Sequence, residues 1–365
     1  MNTKHILIVT SEFPPQPGGI GNHAYHLALS LSNENYLVTV IADQRSIDGN
    51  EEIAFDAKLP FSVVRIKMHS FRLRMYINRI IATYTLFNNA THIIATGKFS
   101  LWNVAFINLF KKRKTLAVVH GSEVNFKSVL LKKSIDTALK KMDTIVAVSK
   151  YTKSLISHLN KEVVVIPNGI QLENWETEGL PESIVKGNPV LTTVGRVSTR
   201  KGQLQVIKQI PELLKQFPEL QYHCVGIPTE AADFLEKAKT LGVASHITFH
   251  GSVTDVVLKQ ILLKTDVFVM LSTESETGDV EGFGIAILEA NALGIPAIGS
   301  LNCGIEDAIK PNVSGVLIDG ENTIQFRKGI ESILQSKEMF SAEAKKWAKQ
   351  HDWSTIIKRY IALLS

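Results

Sequence analysis

The sequence predicts an α/β protein made of two doubly wound domains, and three observations lead there. At 365 residues the chain exceeds the length at which one hydrophobic core keeps growing, so two domains are expected. Short β-branched runs alternate with helical patterns in both halves, which is the pattern of parallel strands covered by helices. Between the halves, residues 171–189 contain Gly179, Pro181, Gly187 and Pro189 and little apolar periodicity.

Strands are expected in the first half at 6–10, 37–42, 62–66, 92–95, 115–119, 144–148 and 163–166. The second half repeats the pattern at 190–194, 222–225, 247–249, 267–270, 297–299 and 316–318. The expected organisation is therefore a first domain over 1–170, a linker over 171–189, a second domain over 190–340 and closing helices over 341–365. Trp347, Trp353, Ile356, Ile357, Tyr360 and Ile361 give those helices an apolar face. They are expected to cross back to the first domain. Ligands of open α/β sheets lie beyond the carboxyl ends of the strands, so a cleft between the two domains is the expected site.

A hydrophobic fraction of 45% and a charged fraction of 21% fit a soluble globular chain. Near the N-terminus only Ile6 to Val9 forms an apolar run, too short for a signal-peptide core or a membrane span, so a cytoplasmic protein is expected. Cys224 and Cys303 offer neither a disulfide framework nor metal-ligand spacing. Residues 1–170 hold 21 Lys and Arg against 11 Asp and Glu, whereas the remainder hold 19 against 24. The basic surplus concentrates in 65–79, in Lys111-Lys112-Arg113-Lys114, and in Lys127, Lys132 and Lys133, interleaved with Phe71, Leu73, Met75, Phe110, Leu130 and Leu131. Such stretches suit either an anionic membrane surface or ordinary solvated helix faces.

Chemistry is expected in the loops that follow strands. The most informative is Glu281-Gly282-Phe283-Gly284-Ile285, which feeds an apolar helix expected over 285–293 with Glu289 about one turn inside it. Gly282 and Gly284 let backbone amides approach an anion, and the two acids can accept hydroxyl hydrogens. A ligand with phosphates and hydroxyls together, such as a sugar nucleotide, fits. Arg196 ends a strand and Arg200-Lys201-Gly202 opens the next helix, so cations converge where a diphosphate would need them; Arg200 is assigned to solvent. Asp279 is a weaker candidate for the Glu281 surface. After the first strand, Gly18-Gly19 stand at a helix head that suits an anion, a close domain contact or simply a tight turn. After the fifth, His120-Gly121-Ser122-Glu123 presents a histidine to the ligand.

In this order the features resemble the retaining glycosyltransferases of family four, which have the two-domain GT-B fold of facing Rossmann-like domains. The resemblance runs from Pro14-Pro15 and Gly18-Gly19 through His120-Gly121-Ser122-Glu123, Val148-Ser149, Ile166-Pro167-Asn168-Gly169-Ile170, Gly195-Arg196 and Lys201-Gly202 to Glu281-Gly282-Phe283-Gly284 and Glu289. Asp279-Val280-Glu281-Gly282 and the histidine motif are most similar to bacterial phosphatidylinositol mannosyltransferases. The resemblance implies transfer of a hexose such as mannose or glucose from a GDP- or UDP-sugar to a glycan or lipid-linked acceptor in cell-envelope polysaccharide or glycolipid synthesis. It also implies a first domain that binds acceptor and a second that binds nucleotide sugar. No cofactor or metal and no nucleic acid is implied, and the basic first domain makes peripheral attachment to the inner face of the cell membrane an expectation.

Residue by residue, the resemblance gives His120, Arg196, Lys201 and Glu281 catalytic roles. His120 would lie near the C6 hydroxyl of the donor sugar, and Arg196 and Lys201 at the leaving diphosphate. Gly18 and Gly19 amides would face the diphosphate, Glu281 and the Phe283 and Gly284 amides the sugar hydroxyls, with Gly282 and Ile285 alongside and Glu289 on the ribose. Cys303 in Asn302-Cys303-Gly304 departs from the family pattern and could narrow the phosphate pocket.

A nicotinamide-dependent oxidoreductase is the main rival, since Gly19-Ile20-Gly21-Asn22-His23-Ala24 matches G-x-G-x-x-A and Asp43 ends the second strand. That fingerprint needs its first glycine directly after the strand, whereas eight residues with three prolines separate Thr10 from Gly19. It also leaves Arg196, Lys201 and the Glu281 segment unused. A sugar-nucleotide epimerase or a lectin-like binder on the same fold are further alternatives.

Overall fold

A computed structural model describes residues 4–68, 71–179 and 185–365; Pro181 of the expected linker, and residues 69 and 70 within the basic run 65–79, lie outside them. The chain divides into two compact units, one of Met1–Gly169 with Trp353–Ser365, the other of Ile170–Asp352. Residues 171–179 therefore belong to the second unit, and Leu172–Trp175 form a short 3-10 turn there.

In the first unit the chain runs β1 (His5–Val9), α1 (Gly19–Asn33), β2 (Leu37–Gln44), α2 (Asn50–Asp56), β3 (Ser62–Lys67), α3 (Arg72–Phe87), β4 (His92–Thr96) and α4 (Lys98–Ile107). It continues through β5 (Lys114–Val119), α5 (Val129–Lys140), β6 (Thr144–Ala147), α6 (Lys150–Leu155) and β7 (Val163–Val165). The seven strands are parallel in the order β3-β2-β1-β4-β5-β6-β7. Ile6, Leu7 and Ile8 of β1 and Ile93, Ile94 and Ala95 of β4 have no exposed surface, because helices cover both faces. Such runs lose the alternation of a half-exposed strand.

The second unit runs β8 (Val190–Val194), α7 (Gln203–Leu213), β9 (Gln221–Val225), α8 (Ala231–Thr240), β10 (Ile247–Gly251), α9 (Asp255–Leu263) and β11 (Val267–Met270). Next come α10 (Ile285–Ala292), β12 (Ala297–Ser300), β13 (Gly315–Ile318), α11 (Thr323–Gln335) and α12 (Lys337–Gln350). Its six parallel strands lie in the order β10-β9-β8-β11-β12-β13. All thirteen expected strands are present.

Of the closing segments, only α13 (Trp353–Leu363) returns to the first unit, where it packs on α1. Helix α12 stays on α10 in the second unit, so the expected crossing back of both helices is corrected to one. Trp353, Ile356, Ile357 and Tyr360 make the difference, since all four are buried among first-unit residues, and burying each contributes roughly 1.5–3 kcal/mol. Among the described residues no helix is long and apolar enough to cross a membrane.

Candidate active site

In each sheet the strand order reverses direction once, between β1 and β4 in the first unit and between β8 and β11 in the second. At such a switch point the loops leaving the two central strands diverge and open a crevice at their carboxyl ends. Those loops carry the candidate residues.

In the second unit, β8 leads through Gly195 and Arg196 to the 3-10 turn Thr199–Lys201, which Gly202 closes at φ 87°. A Cβ at 202 would sit 2.1 Å from the Leu271 carbonyl oxygen, so only glycine lets the turn press against the end of β11. The Thr273 amide then donates to the Arg200 carbonyl at 3.0 Å. Lys201 Nζ consequently lies 2.5 Å from Glu281 Oε2. Arg200 reaches the same oxygen through Nη1 at 3.0 Å and Asp279 Oδ2 through Nε at 3.1 Å. The assignment of Arg200 to solvent is therefore corrected: the acidic loop folds over it and pairs it. Arg196 is exposed and unpaired among the described residues.

Burial alone would raise the Glu281 carboxyl, but Lys201 and Arg200 outweigh it and hold the group below the ordinary range, hence charged. Glu289 on α10 shows the reverse balance. Burial pushes it up to about 7, with Lys201 opposing and Asp255 adding to the rise. Gly284 supplies the left-handed residue that starts α10, at φ 86°, and no side chain caps that helix end. Gly282 and Phe283 are buried, and the Phe283 ring lies 6.1 Å from that of His351, so the segment offers backbone amides beside Ile285. Cys303 is buried with Sγ 3.4 Å from the Ser300 hydroxyl and carbonyl oxygens, and the Gly304 amide donates to the Glu281 carbonyl at 2.9 Å.

The first unit builds its crevice from neutral groups. His120 follows β5, with Nε2 2.8 Å from Thr96 Oγ1 at the end of β4 and its ring edge-on to His23 at 4.9 Å. Burial, then the nearby His23, holds the His120 imidazole well below its ordinary range. Glu123 accepts the His120 amide hydrogen at 2.6 Å, while its other oxygen is buried without a partner among the described residues. Burial pushes this carboxyl up to about 7. At the head of α1, a Cβ on Gly19 would meet nothing within 4 Å, and Gly18 precedes it with no side-chain cap. Asp43, the ribose ligand of the oxidoreductase reading, is instead held by both Nε and Nη2 of Arg79.

Sequence reasoning passed over the groups behind His120. His23 Nδ1 is 2.8 Å from Asn168 Oδ1 and its Nε2 3.2 Å from the Tyr360 hydroxyl, while His26 stacks on Trp353. Asn168 stands in a quoted motif, but Tyr360 is 337 positions from His23, and no local pattern reports such a pair. Among the described residues no three His, Cys, Asp or Glu side chains come together as a metal-ligand set.

Comparison with known proteins agrees with this layout. Residues 17–174 match the family model Glycosyltransferase Family 4, and residues 178–351 match Glycosyl transferases group 1. A GDP-mannose-dependent alpha-(1-6)-phosphatidylinositol monomannoside mannosyltransferase of Mycolicibacterium smegmatis is 25% identical over 99% of this chain and 98% of its own. A D-inositol 3-phosphate glycosyltransferase of Geodermatophilus obscurus is 27% identical over 58% of this chain and 49% of its own. Among solved structures, Anabaena HepE in complex with UDP and glucose superposes with a TM-score of 0.76 at 18% identity, covering 98% of both chains. A glycosyltransferase of Rickettsia africae gives 0.79 at 18% identity over 100% of this chain and 98% of that one. These likenesses identify the fold as GT-B.

Proposed function

We propose that this chain, which belongs to the glycosyltransferases with a Family 4 domain followed by a group 1 domain, moves a hexose from a GDP- or UDP-sugar to a hydroxyl of a glycan or lipid-linked acceptor. The observation that carries the reading is the cluster of Lys201, Arg200 and Glu281 at the switch point of the second sheet. A departing nucleoside diphosphate gathers negative charge, and Lys201 with the exposed Arg196 supplies the opposite sign where that charge grows. Arg200 acts one step back by fixing Glu281. The charged Glu281 accepts hydrogen bonds from sugar hydroxyls, amides of 283–285 hold oxygen atoms near the reacting carbon, and Glu289 accepts from the ribose.

In the first unit, His120 is neutral and hydrogen-bonds a donor hydroxyl, with Gly18 and Gly19 amides at the diphosphate. None of these groups is an activated nucleophile. The resemblance to the retaining enzymes of family four implies retention: the leaving phosphate takes the acceptor proton while the hydroxyl attacks the same face. Because lysine and arginine provide the positive charge, turnover is proposed to need no metal. The relatives named for GDP-mannose and phosphatidylinositol mannoside, and the HepE structure holding UDP and glucose, support a nucleotide-sugar donor and favour envelope glycolipid or polysaccharide synthesis. Exposed Leu73, Ile77 and Ile81 on α3 and Leu130 and Leu131 beside Lys132 and Lys133 on α5 support peripheral attachment to an anionic membrane from the cytoplasmic side.

The test is a panel of GDP- and UDP-sugars scored by thermal shift and slow donor hydrolysis, with and without chelator. A response to at least one sugar nucleotide that persists in chelator is expected. Silence across the panel would sink the reading. Flotation with phosphatidylglycerol vesicles at low salt tests the membrane arm, and indifference to them removes it.

A further inference from the structure

The chain leaves the first unit after Gly169 and enters it again at Trp353, and side chains from both ends meet behind His120. Asn168 stands beside the exit, and Tyr360 about two turns into α13 after the return. A Cβ on Gly169 would lie 3.0 Å from the Trp353 ring, so the glycine lets the indole seat against the outgoing chain. His23 joins the two ends. Its Nδ1 is 2.8 Å from Asn168 Oδ1 and its Nε2 is 3.2 Å from the Tyr360 hydroxyl.

These bonds decide which nitrogen carries the proton. Tyr360 has no exposed surface, and among the described residues His23 Nε2 is the one acceptor its hydroxyl meets. A buried hydroxyl must place its proton, so Tyr360 donates, Nε2 is the bare nitrogen, and Nδ1–H donates to Asn168 Oδ1. Turning the ring over would break both bonds. His23 is thus fixed in tautomer and in plane.

His120 needs such a neighbour. Its amide donates to Glu123 and its Nε2 lies 2.8 Å from Thr96 Oγ1, so Nδ1 is the nitrogen left for a ligand. Two anchor points leave the imidazole free to swing about the line through them. The His23 ring, centred 4.9 Å away and inclined at 77°, closes one side of that arc. Edge-to-face contacts favour one mutual orientation, so the plane of the fixed ring sets that of the other.

We propose that Tyr360 and Asn168 are positioning residues for His120 that act through His23: they hold it neutral and protonated on Nδ1, and its ring keeps the His120 imidazole at the angle from which Nδ1 meets the donor sugar. The role of His120 toward the donor rests on the glycosyltransferase reading; the coupling of Tyr360, His23 and His120 does not.

Long-range proton–nitrogen NMR on the full chain with isotope-labelled histidine reads the coupling without any ligand. Wild-type His23 is expected to show the Nδ1–H pattern. In Tyr360→Phe the His23 Nε2 signal should move and the His120 signals with it, whereas Ile357→Val, which trims a buried side chain of the same helix that takes no part in these hydrogen bonds, should leave both in place. Donor hydrolysis is the second readout. Tyr360→Phe should lose about tenfold in kcat with donor KM little changed, and Ile357→Val should keep wild-type turnover even where its melting temperature falls as far. His23→Phe keeps a ring beside His120 and drops both bonds, so it should lose a similar factor, and adding Tyr360→Phe to it should remove nothing further. Unmoved His120 signals in Tyr360→Phe, a His23 ring protonated on Nε2, an equal loss of turnover in Ile357→Val, or losses that multiply in the double variant overturn the proposal. A wild type silent toward sugar nucleotides sinks the transferase reading instead, and the ring coupling then stands or falls on the NMR alone.

Discussion

The buried groups around His120 in the first unit and Glu281 in the second answer burial in opposite ways. In the first, His23 and His120 are stripped of charge by burial, and Glu123 is pushed toward its protonated form. In the second, Glu281 is largely buried yet stays charged, because Lys201 and Arg200 sit within hydrogen-bond distance. Desolvation is common to both; only the paired group escapes it. On the proposed reading, the crevice around His120 recognises hydroxyls with neutral donors and acceptors, whereas the one around Lys201 keeps its cations and Glu281 charged for a diphosphate.

The contrast can be broken most severely at Lys201. Lys201→Ala removes the main partner of Glu281 and a cation of the proposed diphosphate site, and turnover should fall about 10²- to 10³-fold. Steady-state kinetics with the responsive sugar nucleotide would check it, and a loss below fivefold would deny Lys201 that role. Glu281→Gln keeps the shape and drops the charge. Donor affinity should weaken about tenfold, measured by calorimetry.

Acid should act on the first unit through His23 and His26. His23 and His26 are each lowered to about 4 from 6.5, so the unfolded chain binds more protons than the folded one between those values. Their contribution is intact above pH 6.5 and is lost as pH falls toward 4. His26→Phe keeps the stack on Trp353 and removes one titration, so urea melts at pH 7 and pH 5 should differ less in the variant than in wild type. Equal pH dependence would show that His26 is already solvated.

The smallest expected effect lies at Glu289. Its carboxyl is raised to about 7, so the folded state holds a proton that the unfolded state has released, and stability from this group is lost as pH rises from about 4.5 through 7. Nucleotide affinity should move the other way, improving a few-fold from pH 6 to pH 8 as the carboxylate becomes an acceptor for the ribose. Glu289→Gln should flatten that rise; a profile identical to wild type would separate Glu289 from the ribose.

The strands were readable because parallel sheets bury both faces and leave continuous apolar runs such as Ile6 to Val9. The loops were readable because a glycine shortly after a strand marks backbone too close to a neighbour for a side chain, as Gly202 against Leu271 illustrates. What local pattern could not reveal was partnership at a distance. Arg200 looks like any exposed arginine until the loop after β11 folds over it, and His23 looks like a helix residue until Tyr360 and Asn168 arrive. The division between α12 and α13 was hidden for the same reason, since both are amphipathic and only their tertiary partners differ.

Helix α13 also sets an order of assembly. The second unit is one uninterrupted stretch, Ile170–Asp352, so every piece of it has left the ribosome before the first unit receives its last helix. Until then α1 presents His23, His26 and the seat of Trp353 to water. The first unit is thus the earliest to be made and the last to be finished, and a chain cut at Asp352 would carry a complete second unit beside a first one still open along α1.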